Sequence, residues 1–490
     1  MTTAEQLYAD APQDIPGYVD ALGLELTIDG ADAARAATKR LIDPCTGEPG
    51  AAYPDAGAHH VDLAVEAASR AFGGWSAQPW AERRAALIRF AALMEADLGR
   101  LATILSIESG RPLRRALMEV GLAARYVRII AAVELPPVQL DHQGLAVTMR
   151  RRSLGVAGAI APWNAPVVLA MAKLANALMA GDTLVLRPSP LTPLSALHLG
   201  RLAREAFPPG VVNVITGEAE VGAAMVAHPG IAKISFTGST ATGKQIAIAA
   251  APTLKRLTLE LGGNDAAIIL PDADLEAVAA TVFQICFANS GHFCAAIKRL
   301  YVHEAVLKPL REALLRQIGG AVLGSRFDPA VTMGPVQNRP QFERVWATFD
   351  DAIAQGGRAI SGGVRHDGPG FFIPPTLVEG VGHGVALVDD EQFGPVLPLI
   401  PFGDVEDAIK MANLGVYGLG GSVWTADLEH GIALAQRLET GTGWVNQHGA
   451  FTAAIPMPFA KQSGIGMDYA EFGVAEHMRT MVVNARFATA

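Results

Sequence analysis

The sequence predicts an α/β protein that contains more than one doubly wound parallel sheet. Its 490 residues exceed what a single hydrophobic core normally fills, so two or three domains are expected. After residue 152, short apolar runs without polar alternation are separated by helical stretches. Runs of this kind are typical of parallel strands that are buried on both faces. The same alternation resumes after residue 299, which predicts a second layer.

The first periodic segment extends from residue 83 to residue 105. Its apolar residues recur at steps of three and four, which predicts an amphipathic helix. These residues are Leu87, Phe90, Leu93, Met94, Leu98, Leu101 and Leu105.

Five strands are predicted in the middle of the chain, each flanked by Gly, Pro, Ser or Thr. They cover residues 155–161, 184–186, 211–215, 231–236 and 266–270. Helical stretches at 193–206 and 221–227 lie between them, an alternation typical of a dinucleotide-binding layer. Further apolar runs at 300–303 and 396–401 belong to the predicted second layer.

Two segments lie outside this alternation. Residues 147–152 and 480–486 look extended and are rich in Val, Thr, Met and Arg. They are either edge strands within the chain or strands that pair with another subunit.

The charge balance and the cysteine count exclude several classes of protein. The chain has 48 acidic against 39 basic residues, a net charge of −9, whereas nucleic-acid binding needs clustered cations. Three cysteines are too few for a disulfide scaffold and fit a reducing compartment. Without a basic leader, a long apolar span or histidines at metal-ligand spacing, we expect a cytoplasmic protein with no nucleic-acid, membrane or metal partner.

Cys294 is the first candidate for chemistry. It lies in a loop-like stretch, residues 289–294, after an apolar helical segment. A cysteine is a nucleophile only as a thiolate, which needs an electropositive and partly open site. Cys45 and Cys286 are expected to be core or surface residues, the usual role of a lone cysteine.

Asn164 is the second candidate. It lies between Pro162 and Pro166, directly after the strand predicted at 155–161. The prolines fix the backbone at the strand end where α/β proteins bind ligands. An asparagine held in this way can donate a hydrogen bond to a developing oxyanion, although a simple turn asparagine fits the same segment.

Glu260 is the third candidate, because it ends an apolar run and is followed by Gly262 and Gly263 after a single leucine. A carboxylate in an apolar strand is costly unless it reaches a cavity or a partner. Burial would raise its pKa toward that of a general base, and a structural salt bridge is the competing explanation.

Ser239 lies where the strand at 231–236 gives way to a helix. Exposed N–H groups and hydroxyls at a helix start suit a pyrophosphate, but a plain N-cap has the same residues. The sequence contains neither the glycine fingerprint of classical dinucleotide sites nor a Walker loop.

Taken together, these segments resemble the aldehyde dehydrogenase family over nearly the whole chain from about residue 42. Each motif is common enough to arise by chance, but eight in the family's order are specific. They lie at 162–164, 236–240, 260–263, 291–294, 333–335, 391–396, 441–446 and 461–464.

The resemblance implies a three-part subunit that forms a homodimer or homotetramer. Residues 1–130 and 154–261 would form a Rossmann-like dinucleotide-binding domain, and 262–445 a second α/β domain for catalysis. Residues 131–153 and 472–490 would form a small β oligomerisation element, with 446–471 returning across the cofactor domain.

The resemblance also implies oxidation of an aldehyde to a carboxylic acid with NAD(P)⁺. Cys294 would attack the carbonyl to form a thiohemiacetal, with the Asn164 amide and the Cys294 N–H holding the oxyanion. Loss of hydride would leave a thioester, which water activated by Glu260 would hydrolyse. Lys173 matches a family lysine close to these groups.

Family positions for the cofactor are occupied in this sequence by Ile160, Ala161, Trp163, Arg187, Ser189, Pro190, Gly217, Gly222, Phe236, Gly238, Ser239, Leu261, Glu391 and Phe393. Arg187 and Ser189 match contacts to the adenosine ribose, Ser239 to the pyrophosphate, and Glu391 and Phe393 to the nicotinamide ribose. Pro190 replaces a family glutamate that would repel a 2′-phosphate. With that glutamate absent and Arg187 nearby, NADP is the second candidate, and NAD is the favoured cofactor.

Family positions for the substrate are occupied by Ala165, Leu169, Ala172, Phe293, Ala295 and Phe451. Ala165 and Ala172 replace large aromatic side chains, so a roomy apolar tunnel for a bulky aromatic or long aliphatic aldehyde is expected.

The sequence departs from the family pattern at two places. His292 replaces a usual glutamine and could lower the pKa of Cys294. Residues 456–459 lack a usual double glycine before Lys461.

Two rival functions are considered. A CoA-acylating dehydrogenase is one rival, disfavoured by the retained Glu260. A catalytically silent structural relative is the other, disfavoured by the intact Cys294, Asn164 and Glu260.

Overall fold

The computed structural model describes residues 4–35, 37–142 and 145–486. The parts of the predicted domains that fall on 1–3, 36, 143–144 and 487–490 lie outside the described residues.

The strands, numbered in chain order, have the following bounds: β1 Leu26–Ile28, β2 Ala31–Ala33, β3 Ala37–Ile42, β4 Pro49–Asp55, β5 Val138–His142, β6 Leu145–Ser153, β7 Val156–Ile160, β8 Thr183–Arg187, β9 Val212–Val214, β10 Ile231–Thr237, β11 Arg256–Glu260, β12 Asp265–Ile269, β13 Ile297–His303, β14 Arg358–Ser361, β15 Thr376–Glu379, β16 Val396–Phe402, β17 Tyr417–Gly418, β18 Gly420–Trp424, β19 Thr442–Val445, β20 Met457–Pro458, β21 Ala460–Lys461, β22 Gly464–Ile465, β23 Met467–Asp468 and β24 Met478–Arg486.

The α-helices are α1 Ala4–Ala9, α2 Ile15–Leu22, α3 Ala58–Ser76, α4 Trp80–Ala96, α5 Leu98–Ser109, α6 Leu113–Ala131, α7 Pro166–Ala180, α8 Leu194–Ala206, α9 Ala219–Ala227, α10 Thr240–Ala250, α11 Leu275–Val282, α12 Glu304–Gly319, α13 Arg339–Ala354, α14 Ala386–Asp389, α15 Val405–Asn413, α16 Leu428–Ala435 and α17 Ala470–Ala475. Among the helices that the structure describes, none combines the length and the apolar character needed to cross a membrane.

The first sheet has eight strands in the order β2-β1-β9-β8-β7-β10-β11-β22. Its central strands, β9 to β11 in that order, are parallel. Ala157 and Ala159 of β7 pack against α4, α6 and α7, whereas Val156 and Ile160 pack against α3, α9 and α10. Burial on both faces explains why β7 lacks polar alternation.

The second sheet has seven strands in the order β14-β15-β16-β13-β12-β18-β19. The six strands β15, β16, β13, β12, β18 and β19 are parallel, and β14 pairs antiparallel with β15. Ala266 and Ile268 of β12 face one apolar cluster, and Ala267 and Ile269 face another. The α/β class predicted from the sequence is therefore confirmed, and the five predicted strands are present with ends that differ by one residue.

The segment predicted as one helix at 83–105 forms two helices, so that prediction is wrong. Asp97 separates α4 from α5, with φ −105° and ψ 18°. Its carboxylate pairs with the buried His198 ring of α8. The apolar repeat continues through the break because Leu87 and Leu101, one from each helix, pack into the same core cluster.

The two extended segments outside the α/β alternation pair with each other. β24 and β6 form a nine-residue antiparallel ladder, and β5 pairs with the other side of β6. The sheet order is β24-β6-β5, so β6 is central and only β24 is an edge strand of the predicted pair. Apolar side chains of this sheet remain exposed: Val138, Leu140, Met481, Val482 and Val483.

The carboxyl ends of the first sheet determine where a site can form. Strands β7, β10 and β11 are adjacent and parallel, so the residues that follow them meet at one edge of the sheet. The loop at 288–296, which leads into β13 of the second sheet, contributes Cys294 to the same cavity.

Candidate active site

A cavity of about 140 Å³ lies at this edge, between the two sheets. The three residues predicted to carry the chemistry, Cys294, Glu260 and Asn164, all line it. Six of the predicted cofactor residues line it as well: Trp163, Gly238, Ser239, Leu261, Glu391 and Phe393. Residues separated by more than 200 positions in the sequence therefore share one cavity.

Asn164 is buried and held through its backbone as well as its side chain. Its Nδ2 donates to the carbonyl oxygen of His292 at 3.2 Å. Its own backbone carbonyl accepts from Arg111 at 2.7 Å and from Asn289 at 2.8 Å. Arg111 is in turn paired with Glu119, which accepts hydrogen bonds from the first N–H groups of α7. The amide therefore keeps a fixed place beside the loop that carries Cys294.

The loop before Cys294 owes its shape to three consecutive residues with positive φ. Asn289 and Ser290 have φ values of 53° and 55°, and Gly291 has 77°. A Cβ at Gly291 would come within 2.3 Å of the Gly394 carbonyl carbon, so only glycine fits there. The Ser290 hydroxyl donates to Gly334 at 2.7 Å, which ties the loop to a second motif.

Cys294 is partly exposed at the end of this loop. Burial raises the pKa of its thiol well above the usual value, and the neighbouring Glu260 carboxyl group raises the pKa further. The ammonium group of Lys298 acts in the opposite direction and lowers the pKa of the thiol. The resting thiol is therefore protonated at neutral pH and needs a base to become a nucleophile.

Glu260 ends β11 and is 3% exposed. Burial raises its pKa to about 7, against smaller opposing effects from the Cys294 thiol and the Lys173 charge. Neither carboxylate oxygen has a well-formed hydrogen bond to any residue that the structure describes. A carboxyl group that is buried, unpaired and half-ionised at neutral pH has the properties of a general base.

Lys173 lies on α7, fully buried beneath this site, and donates to the Ser235 hydroxyl at 3.2 Å. Burial lowers its pKa, whereas the charges of Asp468 and Glu260 raise it. Lys173 thus lies close enough to influence the Glu260 carboxyl group without forming an ion pair with it.

His292 does not provide the positive charge that the sequence suggested. Its ring is buried between Trp163, at 4.8 Å between ring centroids, and Phe393, at 5.9 Å. Burial first, and then the charge of Arg111, lower its pKa to about 3. A neutral ring cannot stabilise a thiolate electrostatically, so the hypothesis that His292 lowers the pKa of Cys294 is not supported.

The remaining predicted cofactor residues lie outside the cavity, and most of them surround Arg187 at the end of β8. Arg187 donates to the Gly217 carbonyl at 2.7 Å. Gly222 lies beside the guanidinium, so close that an added Cβ would be 3.6 Å from Arg187 Nε. Ile160 pairs with Arg187 across the strands, and Ala161 donates to its carbonyl at 3.0 Å. The others are placed as follows: the Ser189 hydroxyl accepts from Leu191, Pro190 follows it, and the Phe236 ring underlies Gly238.

The cavity walls carry buried polar atoms that lack partners, a feature expected where a ligand binds. Thr237 Oγ1 has no hydrogen-bond partner within the described part of the chain, and neither do the Glu260 oxygens. Ser239 caps α10 by accepting from Thr242 at 3.2 Å, so the first N–H groups of an 11-residue helix open toward this wall. These features fit the phosphate and ribose of a dinucleotide.

A second cavity, of about 120 Å³, is lined by Phe451 and Tyr469, which pack against the same apolar cluster as Cys294. Tyr126 lines it as well, and the Tyr469 ring lies 5.1 Å from Tyr126 and 6.3 Å from Phe451, centroid to centroid. The Phe293 ring packs edge-on against Phe451 at 6.1 Å.

Of the six predicted substrate residues, only Phe451 lines this second cavity. Ala172 and Ala295 are fully buried in apolar clusters, so they do not widen either cavity. Ala165 and Leu169 lie half-buried at the start of α7 and line neither cavity. The second cavity is instead bounded by aromatic rings on other elements.

Several residues of the site were missed by sequence reasoning. Gln341 and Arg344 of α13 line the first cavity and hold the backbone at 391–393. Lys298 of β13 is buried beside Cys294, and Tyr469 lines the second cavity. Lys298 and Tyr469 each left a weak signal, a lysine inside an apolar strand and an aromatic just beyond the last motif.

Comparisons with known proteins agree with this geometry. The family model described as "Aldehyde dehydrogenase family" matches residues 32–483. Aldehyde dehydrogenase LUC3 of Fusarium sp is 38% identical, over 90% of this chain and 94% of its own length. Phenylacetaldehyde dehydrogenase of Pseudomonas fluorescens is 36% identical, over 90% and 91%.

Solved structures show the same fold. The NAD⁺ complex of aldehyde dehydrogenase from Bacillus cereus superposes with a TM-score of 0.92 at 34% identity, covering 94% of this chain and 96% of that chain. The family model, the relatives and this structure agree over nearly the whole length. The chain therefore belongs to the aldehyde dehydrogenase family.

Proposed function

We propose that this protein oxidises an aldehyde to the carboxylic acid with NAD⁺, with Cys294 as nucleophile and Glu260 as general base. The observation that carries the proposal is the convergence of Cys294, Glu260 and Asn164 on one cavity that Glu391 and Phe393 also line. Nucleophile, base, oxyanion donor and cofactor wall are the parts that this chemistry needs in one place.

The first step is formation of the nucleophile. The Cys294 thiol is protonated at rest, and the carboxylate of Glu260, with a pKa of about 7, is the adjacent base. The Sγ proton passes to Glu260, and the thiolate attacks the aldehyde carbon. The carbonyl oxygen gains negative charge in this step. The Asn164 amide donates to that oxygen, exchanging its 3.2 Å bond to the His292 carbonyl for a stronger charge-assisted one.

The residues fit NAD(P)⁺, whose chemistry when bound is to accept a hydride from the carbon attached to Cys294. Glu391 would hold the nicotinamide ribose, Phe393 and Trp163 would pack beside it, and the start of α10 at Ser239 would face the pyrophosphate. These groups fix the reacting carbon between Cys294 and the cofactor wall.

The charges near Arg187 support NAD over NADP. Three carboxylates, Glu218, Glu220 and Asp55, act on the buried Arg187 guanidinium. Lys39 pairs with Glu218 at 2.9 Å and with Asp55 at 3.3 Å. The carboxylates outnumber the two cations here, and Arg187 already donates to Gly217, so a 2′-phosphate would meet net repulsion.

The second half of the reaction is release of the acid. Glu260 first releases to solvent the proton that it took from Sγ. Its carboxylate then accepts a proton from water, the resulting hydroxide adds to the thioester carbon, and the Cys294 sulfur leaves as a thiolate that recovers this proton from Glu260. The unpaired oxygens of Glu260 are free to hold that water. Retention of this base supports hydrolysis rather than transfer to CoA.

The second cavity supports a choice of substrate class. Its walls carry the rings of Tyr126, Phe451 and Tyr469, which suit a flat aromatic group through stacked and edge-on contacts. The similarity to a phenylacetaldehyde dehydrogenase supports the same choice. We therefore favour a bulky aromatic aldehyde over a long aliphatic one.

The assembly and location are also proposed. The exposed apolar side chains of the β24-β6-β5 sheet support a homodimer or homotetramer formed through it. The three cysteines are unpaired, which supports the reducing environment of the cytoplasm.

A single experiment tests the function. The purified protein is mixed with aromatic, aliphatic and semialdehyde substrates, with NAD⁺ and NADP⁺ in parallel, while absorbance of the reduced cofactor is followed and products are analysed. Reduction of NAD⁺ with stoichiometric free acid is expected, fastest with aromatic aldehydes. A rate that requires CoA and yields no free acid would identify the acylating rival. No reduced cofactor with any aldehyde would favour a catalytically silent relative.

A further inference from the structure

Lys298 is a buried cation placed between the nucleophile loop and the cofactor wall. It belongs to β13 and is 2% exposed. Its Nζ donates to the backbone carbonyls of Phe293, at 3.1 Å, and of Cys294. The same Nζ lies 3.2 Å from Glu391 Oε1. One ammonium group therefore holds three acceptors that come from two separate segments of the chain.

The ion pair divides the roles of the two Glu391 oxygens. Oε1 accepts from Lys298 and from the Gly263 N–H at 3.0 Å. Oε2 lies close to Gly262, since a Cβ added to that glycine would come within 2.5 Å of Oε2. Gly262 itself lines the first cavity. The anchored oxygen fixes the carboxylate plane, and the other oxygen is left at the cavity wall, where a ribose hydroxyl can donate to it.

Burial makes this arrangement energetically demanding. An ammonium group without solvent is stable only with a charged or strongly polar partner. Glu391 is the one carboxylate within ion-pair distance of Lys298 in the chain that the structure describes. Removing Lys298 would leave the Glu391 carboxylate without its counterion and would release the two loop carbonyls together.

Lys298 and Glu391 also act on the Cys294 thiol with opposite sign. The positive charge of Lys298 lowers the pKa of the thiol, and the negative charge of Glu391 raises it. The pair is thus linked to the nucleophile by charge as well as by hydrogen bonds.

We propose that Lys298 is a positioning residue that joins the cofactor-binding carboxylate Glu391 to the Cys294 loop, so that cofactor affinity and thiol reactivity depend on the same ammonium group. The identity of the ligand at Glu391 rests on the proposed function; the link between Lys298, Glu391 and the loop rests on the contacts above.

The test compares Lys298→Met, Lys298→Arg and Glu391→Gln. Lys308→Met, the same substitution at an exposed lysine of α12, is the control. Three quantities are measured for each full-length variant: the Kd for NAD⁺, the pH profile of Cys294 alkylation by iodoacetamide, and kcat with KM for an active aldehyde. Thermal melting establishes that each variant is folded.

Lys298→Met and Glu391→Gln should each weaken NAD⁺ binding by about tenfold or more, because each leaves a buried charge or carbonyl unpaired. Their alkylation profiles should move in opposite directions, to higher pH in Lys298→Met and to lower pH in Glu391→Gln. Lys298→Arg should recover part of the lost affinity, and Lys308→Met should match the wild type.

Two results would overturn the proposal. One is a Lys298→Met protein that binds NAD⁺ and reacts with iodoacetamide as the wild type does. The other is a displacement of both alkylation profiles in the same direction, which is the signature of a general loosening of the loop. If Lys298→Met does not fold, Glu391→Gln and Lys298→Arg still test the link, because an unmoved profile in both contradicts it. A wild type that oxidises no aldehyde would refute the proposed function, while the alkylation profiles would still decide the role of Lys298.

Discussion

The carboxyl group of Glu260 lies in the same cavity as the thiol of Cys294, and its negative charge opposes ionisation of that thiol. The two groups cannot both be charged at low cost in this buried site. A thiolate therefore forms beside an ionised Glu260 only when the proton moves from the sulfur to that carboxylate. Base and nucleophile are therefore one functional unit, and substitutions at the two positions should have distinguishable consequences.

Replacement of Cys294 by serine should abolish turnover, by roughly a thousandfold or more, because a serine hydroxyl is a far weaker nucleophile near neutral pH. The Kd for NAD⁺ should stay close to the wild-type value, since the cofactor wall is unchanged. Steady-state rates and cofactor titrations check both points. Cys45→Ser, a remote cysteine that contacts Gly110, is the control and should be active. Appreciable turnover in Cys294→Ser would refute the mechanism.

Replacement of Glu260 by glutamine should slow both proton transfers assigned to it, and deacylation more than thiolate formation, because solvent hydroxide can take the Sγ proton of the partly exposed Cys294. A neutral amide cannot accept a proton from water, so a thioester should accumulate. Stopped-flow mixing with saturating aldehyde should show a burst of reduced cofactor, close to one per active site, followed by a slow steady state. Glu429→Gln, on the exposed face of α16, should behave as the wild type does. The absence of any slow phase would contradict the assigned base.

The same substitution should change how stability depends on pH. The folded-state pKa of Glu260 is about 7, above its unfolded value of 4.5, so the wild type loses stability as pH rises from about 4.5 through 7. Glu260→Gln avoids this loss. It should be more stable than the wild type at pH 8, by up to ~3 kcal/mol, with the difference shrinking toward pH 5. Denaturant titrations at several pH values check this; a difference independent of pH would show that Glu260 is not buried with a raised pKa.

Replacement of Phe451 by alanine should reduce kcat/KM for phenylacetaldehyde by about tenfold, because one wall of the second cavity loses its ring. Propanal, which is too small to reach that wall, should be affected little. The ratio of the two kcat/KM values is the quantity to measure, with Leu428→Ala, an exposed apolar residue, as the control. An unchanged ratio would mean that the substrate enters elsewhere.

Replacement of Val482 by lysine should break up the proposed oligomer. Val482 lies on β24 with 54% of its surface exposed, and a buried lysine at a subunit contact is costly. Light scattering after size exclusion should give a lower molar mass than for the wild type. Val364→Lys, at an exposed loop position, should leave the mass unchanged. Equal masses for all three proteins would exclude this sheet from the contact.

Much of the fold could be predicted because its strands are buried on both faces. The run at 266–270 contains no polar residue, and β12 is buried on both faces, against two different apolar clusters. The break at Asp97 could not be predicted, because the apolar repeat continues across it and the His198 ring that binds Asp97 is far away in sequence. The order β24-β6-β5 was equally hidden, since pairing partners leave no local signal.

The residues of the candidate site could also be predicted only in part. Cys294, Glu260 and Asn164 stand out because each is a polar or reactive group in a setting that a stable core would avoid. Lys298 leaves only the weak signal of a lysine in an apolar strand, and its partner Glu391 is brought to it only by folding. His292 shows the opposite error: adjacency to Cys294 suggested a charge, but burial keeps its ring neutral.

The ladder between β24 and β6 has a consequence for biosynthesis. Met478 pairs with Ser153 and Arg486 with Leu145, so each pair joins residues more than 300 positions apart. The first sheet's central strands and the nucleophile loop precede β24 in the chain and can form before it is synthesised, whereas this sheet cannot. A chain cut before β24 would keep most of its core and leave one edge of β6 unpaired. Any subunit contact through this sheet would then depend on a late step of folding.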